Sequence, residues 1–286
     1  MKGSSKIDFA LLNVGKAHHY ADWNYENVSS PFTRIYLVTE GEAGIFFPEG
    51  FFELTPNHLY IIPAFTPHTY KCTGLFKLNY IHVYETPETN ITEQYTFPFE
   101  VDASELDYLL VEKLLELNPR RELKHYDPEF YDNSATLLKN IAANTHQSTY
   151  VALRTKGILF CLFSKFLEKA KPKFDVKDHR IAKSLLYIRR NIHLPLSIDE
   201  LSKMSFLSSD HYIRLFKKEM NCTPIQYINQ KKIEHAQLLL SLKSESIKEV
   251  AYSLSFENIS YFNRLFKKIT GKTPKQYCNE INIHSR

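Results

Sequence analysis

Tyr212 to Tyr227 reads Tyr-Ile-Arg-Leu-Phe-Lys-Lys-Glu-Met-Asn-Cys-Thr-Pro-Ile-Gln-Tyr, and fifty residues on Phe262 to Tyr277 reads Phe-Asn-Arg-Leu-Phe-Lys-Lys-Ile-Thr-Gly-Lys-Thr-Pro-Lys-Gln-Tyr. Nine of the sixteen positions are identical. A repeat of this length makes the C-terminal third two copies of one helical unit, each carrying an Arg three residues ahead of a Lys-Lys pair. Two basic helices at a fixed interval suit a repeating anionic polymer better than a small substrate.

The net charge of +4 hides an asymmetry. Residues 1–179 hold 18 Lys and Arg against 23 Asp and Glu, a net −5, whereas residues 180–286 hold 18 against 9, a net +9. Positive charge gathered in one segment is the electrostatic footprint of nucleic-acid binding, because each neutralised phosphate releases counterions. A solvated basic surface is the plainer reading that charge alone leaves open.

A chain of 286 residues is long enough for two domains. With 43% hydrophobic and 24% charged residues it has the composition of a globular protein. It contains no run of about 18 apolar residues, and its N-terminus lacks the apolar core of a signal peptide, so a cytoplasmic protein without a membrane span is expected. Cys72, Cys161, Cys222 and Cys278 are far apart with no paired spacing, which predicts reduced, mostly buried thiols.

Residues 32–84 divide into short extended runs rich in aromatic and β-branched residues: Arg34–Val38, Gly44–Phe47, Phe51–Leu54, Leu59–Ile62 and Leu75–Tyr84. Pro and Gly punctuate them, as in a small β-barrel or sandwich. From about residue 103 the apolar spacing becomes helical, through Leu106, Leu109, Leu110, Leu114, Leu115 and Leu117, then over Phe130–Asn144 and Val151–Lys169. The charged, Pro-broken stretch from Lys169 to Asp178 marks the domain boundary. The expected fold is thus mixed: an N-terminal domain over residues 1–172, with a barrel at about 15–100 and helices at about 103–170, and an all-α domain over 173–286.

In the second domain Ser197-Ile-Asp-Glu200 and Ser246-Ile-Lys-Glu249 have the spacing of capping boxes and start two short helices. Each is followed by a polar turn and then by the repeated basic helix, giving two helix-turn-helix units at about 197–219 and 246–268. Tyr212, Leu215 and Phe216, with Phe262, Leu265 and Phe266, form the stripes that pack inward. The other face leaves Asp210, Ile213 and Arg214 in one copy, and Ser260, Asn263 and Arg264 in the other, free to read bases. Arg suits guanine O6 and N7, and Asn suits adenine, through paired hydrogen bonds. Lys217, Lys218, Lys267 and Lys268 suit phosphate, which sets register rather than sequence.

These residues resemble the AraC/XylS family of bacterial transcription regulators. The likeness runs over residues 180–280 and is carried by Ser246-Ile-Lys-Glu-Val-Ala251, Phe256, Tyr261-Phe-Asn-Arg-Leu-Phe-Lys-Lys268, Gly271-Lys-Thr-Pro274 and Tyr277, with Pro224–Leu240 as the long helix joining the two units. The resemblance implies double-stranded DNA as partner, with one monomer placing two recognition helices in successive major grooves, and names RNA polymerase as a further candidate. One departure stands out. The family has Gly in the turn of each unit where this chain has Phe206 and Ser255, so the turn geometry is expected to deviate there.

The first domain shows a fainter resemblance, in Thr33–Gly41 and His58–Tyr70, to the cupin-like effector domain of the family's sugar-responsive branch. That likeness implies a small-molecule effector, a sugar among the candidates, inside the barrel near Tyr70, Tyr80 and His82. It also implies a homodimer through the helices Ser104–Leu117 and Val151–Lys169. Each of the three pocket residues could equally be a satisfied core residue. The competing reading is a cupin-type metalloenzyme with an appended helical domain, but His68-Thr-Tyr70 lacks the second His of a metal motif and His18-His19 point apart on a strand. Neither a catalytic triad nor a phosphate-cradling loop is present, so no enzyme, no metal and no cofactor is expected. A non-specific architectural DNA-binding protein is the remaining rival.

Overall fold

The computed structural model describes residues 7–85, 91–132, 134–173, 176–241 and 246–283, in two compact units that meet between Lys171 and Pro172. Phe174 and Asp175 of the expected linker lie outside the described residues.

Unit 1 opens with strand β1 (Phe9–Tyr20), which starts before the expected barrel boundary at about 15 and is not among the extended runs expected from the sequence, followed by β2 (Thr33–Gly41), β3 (Ala43–Phe47), β4 (Gly50–Leu54), β5 (His58–Ile62), β6 (Thr69–Lys71) and β7 (Leu75–Glu85). A short helix α1 (Ile91–Gln94) and strands β8 (Tyr95–Thr96) and β9 (Glu100–Asp102) complete the strand-rich part. One antiparallel sheet has the order β1-β7-β2-β5-β9 and another the order β4-β3-β6. Strand periodicity sorts the large sheet's residues onto two faces. Ile35, Leu37, Leu59, Ile61, Ile81 and Val83 face helices α2 (Glu105–Leu117) and α5 (Thr149–Glu168) through Val111, Leu114, Leu159, Leu162 and Phe166. Tyr36, Val38, Tyr60, Ile62, Leu78 and Tyr80 turn the other way, into an interior shared with Ile45, Leu54 and Tyr70 of the second sheet. Because both faces are covered, the central strands read as continuous buried runs.

Two expectations for this unit need correction. The predicted helix Phe130–Asn144 is broken into α3 (Pro128–Tyr131) and α4 (Ser134–Thr145), because Asp132 turns inward to pair with the buried Arg34. Of the four free thiols only Cys72 is buried; Cys161 is exposed on α5, off the stripe made by Ile158, Leu162 and Phe166.

Unit 2 is helical: α6 (His179–Arg190), α7 (Ile198–Met204), α8 (Ser209–Met220), α9 (Pro224–Ser241), α10 (Ile247–Ser253), α11 (Ile259–Thr270) and α12 (Pro274–Ile283). It holds two apolar cores. The first gathers Ile181, Leu185, Leu201, Tyr212 and Phe216, and the second Val250, Leu254, Phe262 and Phe266. Helix α9 serves both, giving Tyr227 and Ile228 to one and Ile233, Ala236 and Leu240 to the other. Among the described residues no helix is long and apolar enough to cross a membrane.

Gly15 on β1 is a point of close approach. A Cβ there would lie 2.2 Å from the Tyr80 hydroxyl oxygen and 2.6 Å from its ring. Tyr80 cannot yield easily, since it is buried and its hydroxyl accepts the Leu123 N–H at 2.7 Å. Gly15→Ala is therefore expected to destabilise unit 1 by about 1–3 kcal/mol, measured by denaturant unfolding, and an unchanged midpoint would contradict the close packing.

Candidate nucleic-acid interface and barrel interior

Each half of unit 2 is built by the same local rules. Ser197 and Ser246 accept the N–H of Glu200 and Glu249 and so start α7 and α10. Only Glu249 returns a bond to its cap amide, at 2.6 Å, completing the box. Glu200 is instead engaged by the Tyr187 hydroxyl at 2.8 Å, so the first of the two expected boxes is half formed.

The turns end in paired bonds. Phe206 and Leu207 N–H donate to the carbonyls of Lys203 and Ser202, and Ser255 and Phe256 N–H donate to those of Tyr252 and Ala251. The bond from Leu207 back to Ser202, like that from Phe256 to Ala251, is the long bond of a Schellman ending, which demands a left-handed residue. Phe206 and Ser255 adopt it, at φ 53° and 57°. The deviation expected from missing glycines is therefore absent; the turn bonds hold the geometry on non-glycine residues.

Helices α8 and α11 begin on Ser208 and Asn258, which accept N–H bonds from His211 and from Ser260 and Tyr261. They end at left-handed Asn221 and Gly271. Their apolar stripes are sunk in the two cores: Tyr212, Phe216, Phe262 and Phe266 are buried, with Leu215 and Leu265 half-buried. On the remaining face Asp210, Arg214, Ser260, Asn263 and Arg264 are exposed and Ile213 is half-buried, while Lys217, Lys218, Lys267 and Lys268 are exposed as well. Some surface lysines elsewhere pair with carboxylates, as in Lys16–Glu112, Lys77–Glu40 and Lys203–Asp199. Among the described residues Arg214, Arg264 and the four lysines of α8 and α11 make no ion pair or side-chain hydrogen bond, so their charge is uncompensated.

Sequence reasoning missed Lys232. This α9 residue is buried, its Nζ donates to the Leu254 carbonyl at the end of α10 at 2.6 Å, and it lies 5.4 Å from the Phe256 ring centroid. Burial lowers its pKa from the ordinary lysine value. Its neighbour Lys231 and the exposed Lys-Lys pairs look the same in sequence, so only the α9 phase could have marked it.

In unit 1, Tyr70, Tyr80 and His82 all lie buried in the barrel interior. The Tyr70 and Tyr36 hydroxyls share a 2.7 Å hydrogen bond, and burial pushes Tyr70 up to about 12. The His82 ring is 5.4 Å from that of Tyr80. A cleft of about 420 Å³ lies elsewhere, lined by Lys16, Glu112, Leu115, Glu116, Glu122 and Tyr126 between β1 and α2, and none of the three belongs to it. Beside them stand residues that the sequence reading did not assign to this interior. Arg34 is 1% exposed and paired to Asp132, and His68 has its Nδ1 2.7 Å from the Thr66 carbonyl. Among the described residues no group of three or more His, Cys, Asp or Glu is placed to hold a metal ion.

Two short capped helices, each joined by a tight turn to a basic helix and all hung on one shared helix, define a double helix-turn-helix domain. Residues 201–280 match a family model described as "Helix-turn-helix domain". The chain is 31% identical over 70 residues, 24% of its length and 28% of the relative's, to the probable transcriptional regulator LumQ of Photobacterium leiognathi. It is 21% identical over 121 residues, 42% of the chain and 43% of the relative, to the lactose operon transcription activator of Staphylococcus xylosus. The chain spans 26 to 43% of the length of the curated relatives it matches. Solved structures include apo ToxT K231A of Vibrio cholerae, at 12% identity and TM-score 0.49 over 96% of this chain and 97% of that one. Residues 201–280 thus carry a helix-turn-helix domain like that of transcriptional regulators, and the resemblance to the AraC/XylS family is supported over that domain.

Three substitutions test how the two copies are held. Lys232→Ala removes the donor to Leu254 and is expected to cost about 1–3 kcal/mol of unit 2 stability, read by thermal unfolding. Phe206→Gly relieves a left-handed backbone and removes a phenyl ring that is 92% exposed, so it is expected to stabilise by about 0.5–1 kcal/mol. Ser255→Gly should gain less in the same assay, because it also loses the 2.5 Å bond from the Ser255 hydroxyl to the His193 carbonyl.

Proposed function

We propose that this chain is a cytoplasmic, sequence-specific transcription regulator that binds double-stranded DNA through α8 and α11, with its DNA affinity set by a small molecule in the barrel of unit 1. The observation that carries the reading is the repeated face on which Arg214 and Arg264, with Lys217, Lys218, Lys267 and Lys268, stand exposed and without carboxylate partners. An unpaired guanidinium at the middle of a capped helix can offer two parallel N–H donors to guanine, and lysines toward the helix end meet phosphate. Asp210 and Ile213, with Ser260 and Asn263, complete the base-reading set. Differing neighbours beside a common Arg make the two half-sites unequal.

The cupin-like interior with Tyr70, Tyr80 and His82 is the proposed effector site. Its rings and polar tips suit a sugar, whose C–H faces stack on aromatics while its hydroxyls bond to the tips. The proposed dimer contact lies on α2 and α5, where Leu106, Leu109 and Leu153 are 62%, 61% and 67% exposed. An effector acts on DNA binding only through a difference in its affinity for the two subunit arrangements.

Selection from a random duplex pool followed by titration of variants tests the assignment. Arg264→Ala is expected to lose about 1–3 kcal/mol of discrimination at one base pair. Lys267→Ala should weaken all duplexes alike and lower the salt slope by about one unit. Failure to enrich any motif, or identical behaviour of the two variants, would refute base reading by α11.

A further inference from the structure

Five buried side-chain polar atoms among the described residues have no hydrogen-bond partner, and four sit together inside the barrel: Arg34 Nε, His68 Nε2, His82 Nδ1 and Asp132 Oδ1. Buried polar atoms are nearly always satisfied in folded proteins, so a cluster of this kind calls for a cause. Register brings the group together. Arg34 on β2 is paired with His82 on β7, and both face the interior beside Tyr36 and Tyr80. The broken helix α3–α4 drops Asp132 onto this spot, where its Oδ2 accepts from Arg34 Nη2 at 2.9 Å and from the Ser30 hydroxyl. Aromatic rings wall the cluster: Arg34 lies 4.8 Å from the Phe32 centroid, Tyr131 stacks on His82 at 5.2 Å, and Tyr70 is 4.7 Å from His68.

The unsatisfied atoms have definite polarity. Arg34 Nε can only donate. Asp132 Oδ1 accepts, since Arg34 and Ser30 hold the carboxylate by its other oxygen. The Thr66 carbonyl accepts from His68 Nδ1, so the proton of that ring is on Nδ1. Burial first, and the Arg34 charge second, push His68 down to about 3, so the ring is neutral and Nε2 is a bare acceptor. His82 is held neutral by the same two causes and can serve in either role. A molecule filling this spot must therefore donate at least twice and accept at least once. A hydroxyl does both. A carboxylate or phosphate only accepts, and would face the lone pairs of Asp132 Oδ1 and His68 Nε2. Charge argues the same way: Arg34 and Asp132 already balance, and an added ion would be buried without a counter-charge.

We infer that Arg34, Asp132, His68 and His82 form the polar end of the effector site, and that this end takes a neutral molecule carrying at least two hydroxyls and rejects carboxylates and phosphates. The inference rests on the proposed reading of the barrel as an effector site. Phe32, Tyr70 and Tyr131 supply the faces on which the C–H side of such a molecule stacks.

Calorimetric titration of the full chain provides the test, with D-glucose, D-xylose, L-arabinose and myo-inositol as neutral probes and D-glucuronate, D-glucose 6-phosphate and oleate as anionic ones. At least one neutral probe is expected to bind ten times more tightly than every anion. Asp132→Asn keeps the shape but leaves Arg34 uncompensated, so the neutral probe should weaken by at least tenfold and glucuronate should gain. His68→Phe, which removes the Nε2 acceptor together with the Nδ1 bond to the Thr66 carbonyl, is expected to lose at least tenfold for the neutral probe with some loss of Tm but a folded chain, and it decides the matter if the Asp132 variant does not fold. Tighter binding of an anion by the wild-type chain, or indifference of the neutral probe to both variants, overturns the inference. An anion that binds and alters DNA affinity would sink the inference and leave the effector reading intact. Binding of none of the seven probes would remove both, while the DNA-binding reading stands or falls by its own titration.

Discussion

The arrangement of unit 2 depends on a single helix belonging to two cores. Ile228 packs in the first core of unit 2 and Ile233 in the second, five residues further along α9. Five residues of α-helix turn the side chain by about 140° about the axis, so the two cores occupy different sides of one rod. Neither helix-turn-helix half can rotate about that rod without pulling apolar side chains out of its own core. Basic helices α8 and α11 each pack against α9 through one of those cores, and their relative direction follows from the α9 phase rather than from any contact between them. Lys232, at the changeover, adds a directed bond to the end of α10. A flexible tether would carry the same charge but would lose orientational freedom on binding, which weakens affinity and blurs register.

The two copies show which features the local architecture demands. Identical positions fall on the packed stripe, on the Arg and the Lys-Lys pair, and on the Thr-Pro that opens α9 and α12, where Thr223 and Thr273 each accept from Gln226 and Gln276 N–H. Differing positions include the outward face, as Asp210 against Ser260 and Ile213 against Asn263. Left-handed turns show how a strained conformation survives without glycine. Two backbone bonds close each helix end, and the geometry that satisfies them allows one conformation at Phe206 and Ser255.

Much of this was legible in the chain itself. Helical period and caps located α6 to α11 to within a residue or two, since their amphipathic stripes are one-sided and their N-terminal Ser and Asn residues bond locally. The strands β2, β3, β4, β5 and β7 were readable from aromatic and β-branched runs between turns. What escaped the reading was non-local. Strand β1 contains Gly15, Lys16 and two His and lacks a clean alternation, yet pairing with β7 along its whole length makes it a strand. The break at Asp132 depends on an Arg nearly a hundred residues earlier. No window of sequence contains both, and for the same reason the cluster of Arg34, His68 and Asp132 was invisible beside Tyr70, Tyr80 and His82.

The buried Arg34 is not a requirement of the barrel. Its strand neighbours Ile35 and Leu37 show that the sheet can be filled with plain aliphatic side chains, and the adjacent interior positions Ile62, Leu78 and Val38 are apolar. Burying the Arg34–Asp132 pair costs desolvation of both ions, and a well-packed apolar pair of similar volume often serves stability as well or better. Desolvation raises the Asp132 pKa even with Arg34 beside it, a sign that the attraction does not fully offset the burial. Two imidazoles kept neutral in the same place add further unsatisfied atoms instead of relieving it. A folded chain holds such a cluster only because the surrounding apolar packing is sufficient to bear it. The cluster therefore makes sense as a feature of recognition, in which the ordering cost is met at folding and a ligand meets donors and acceptors already in place.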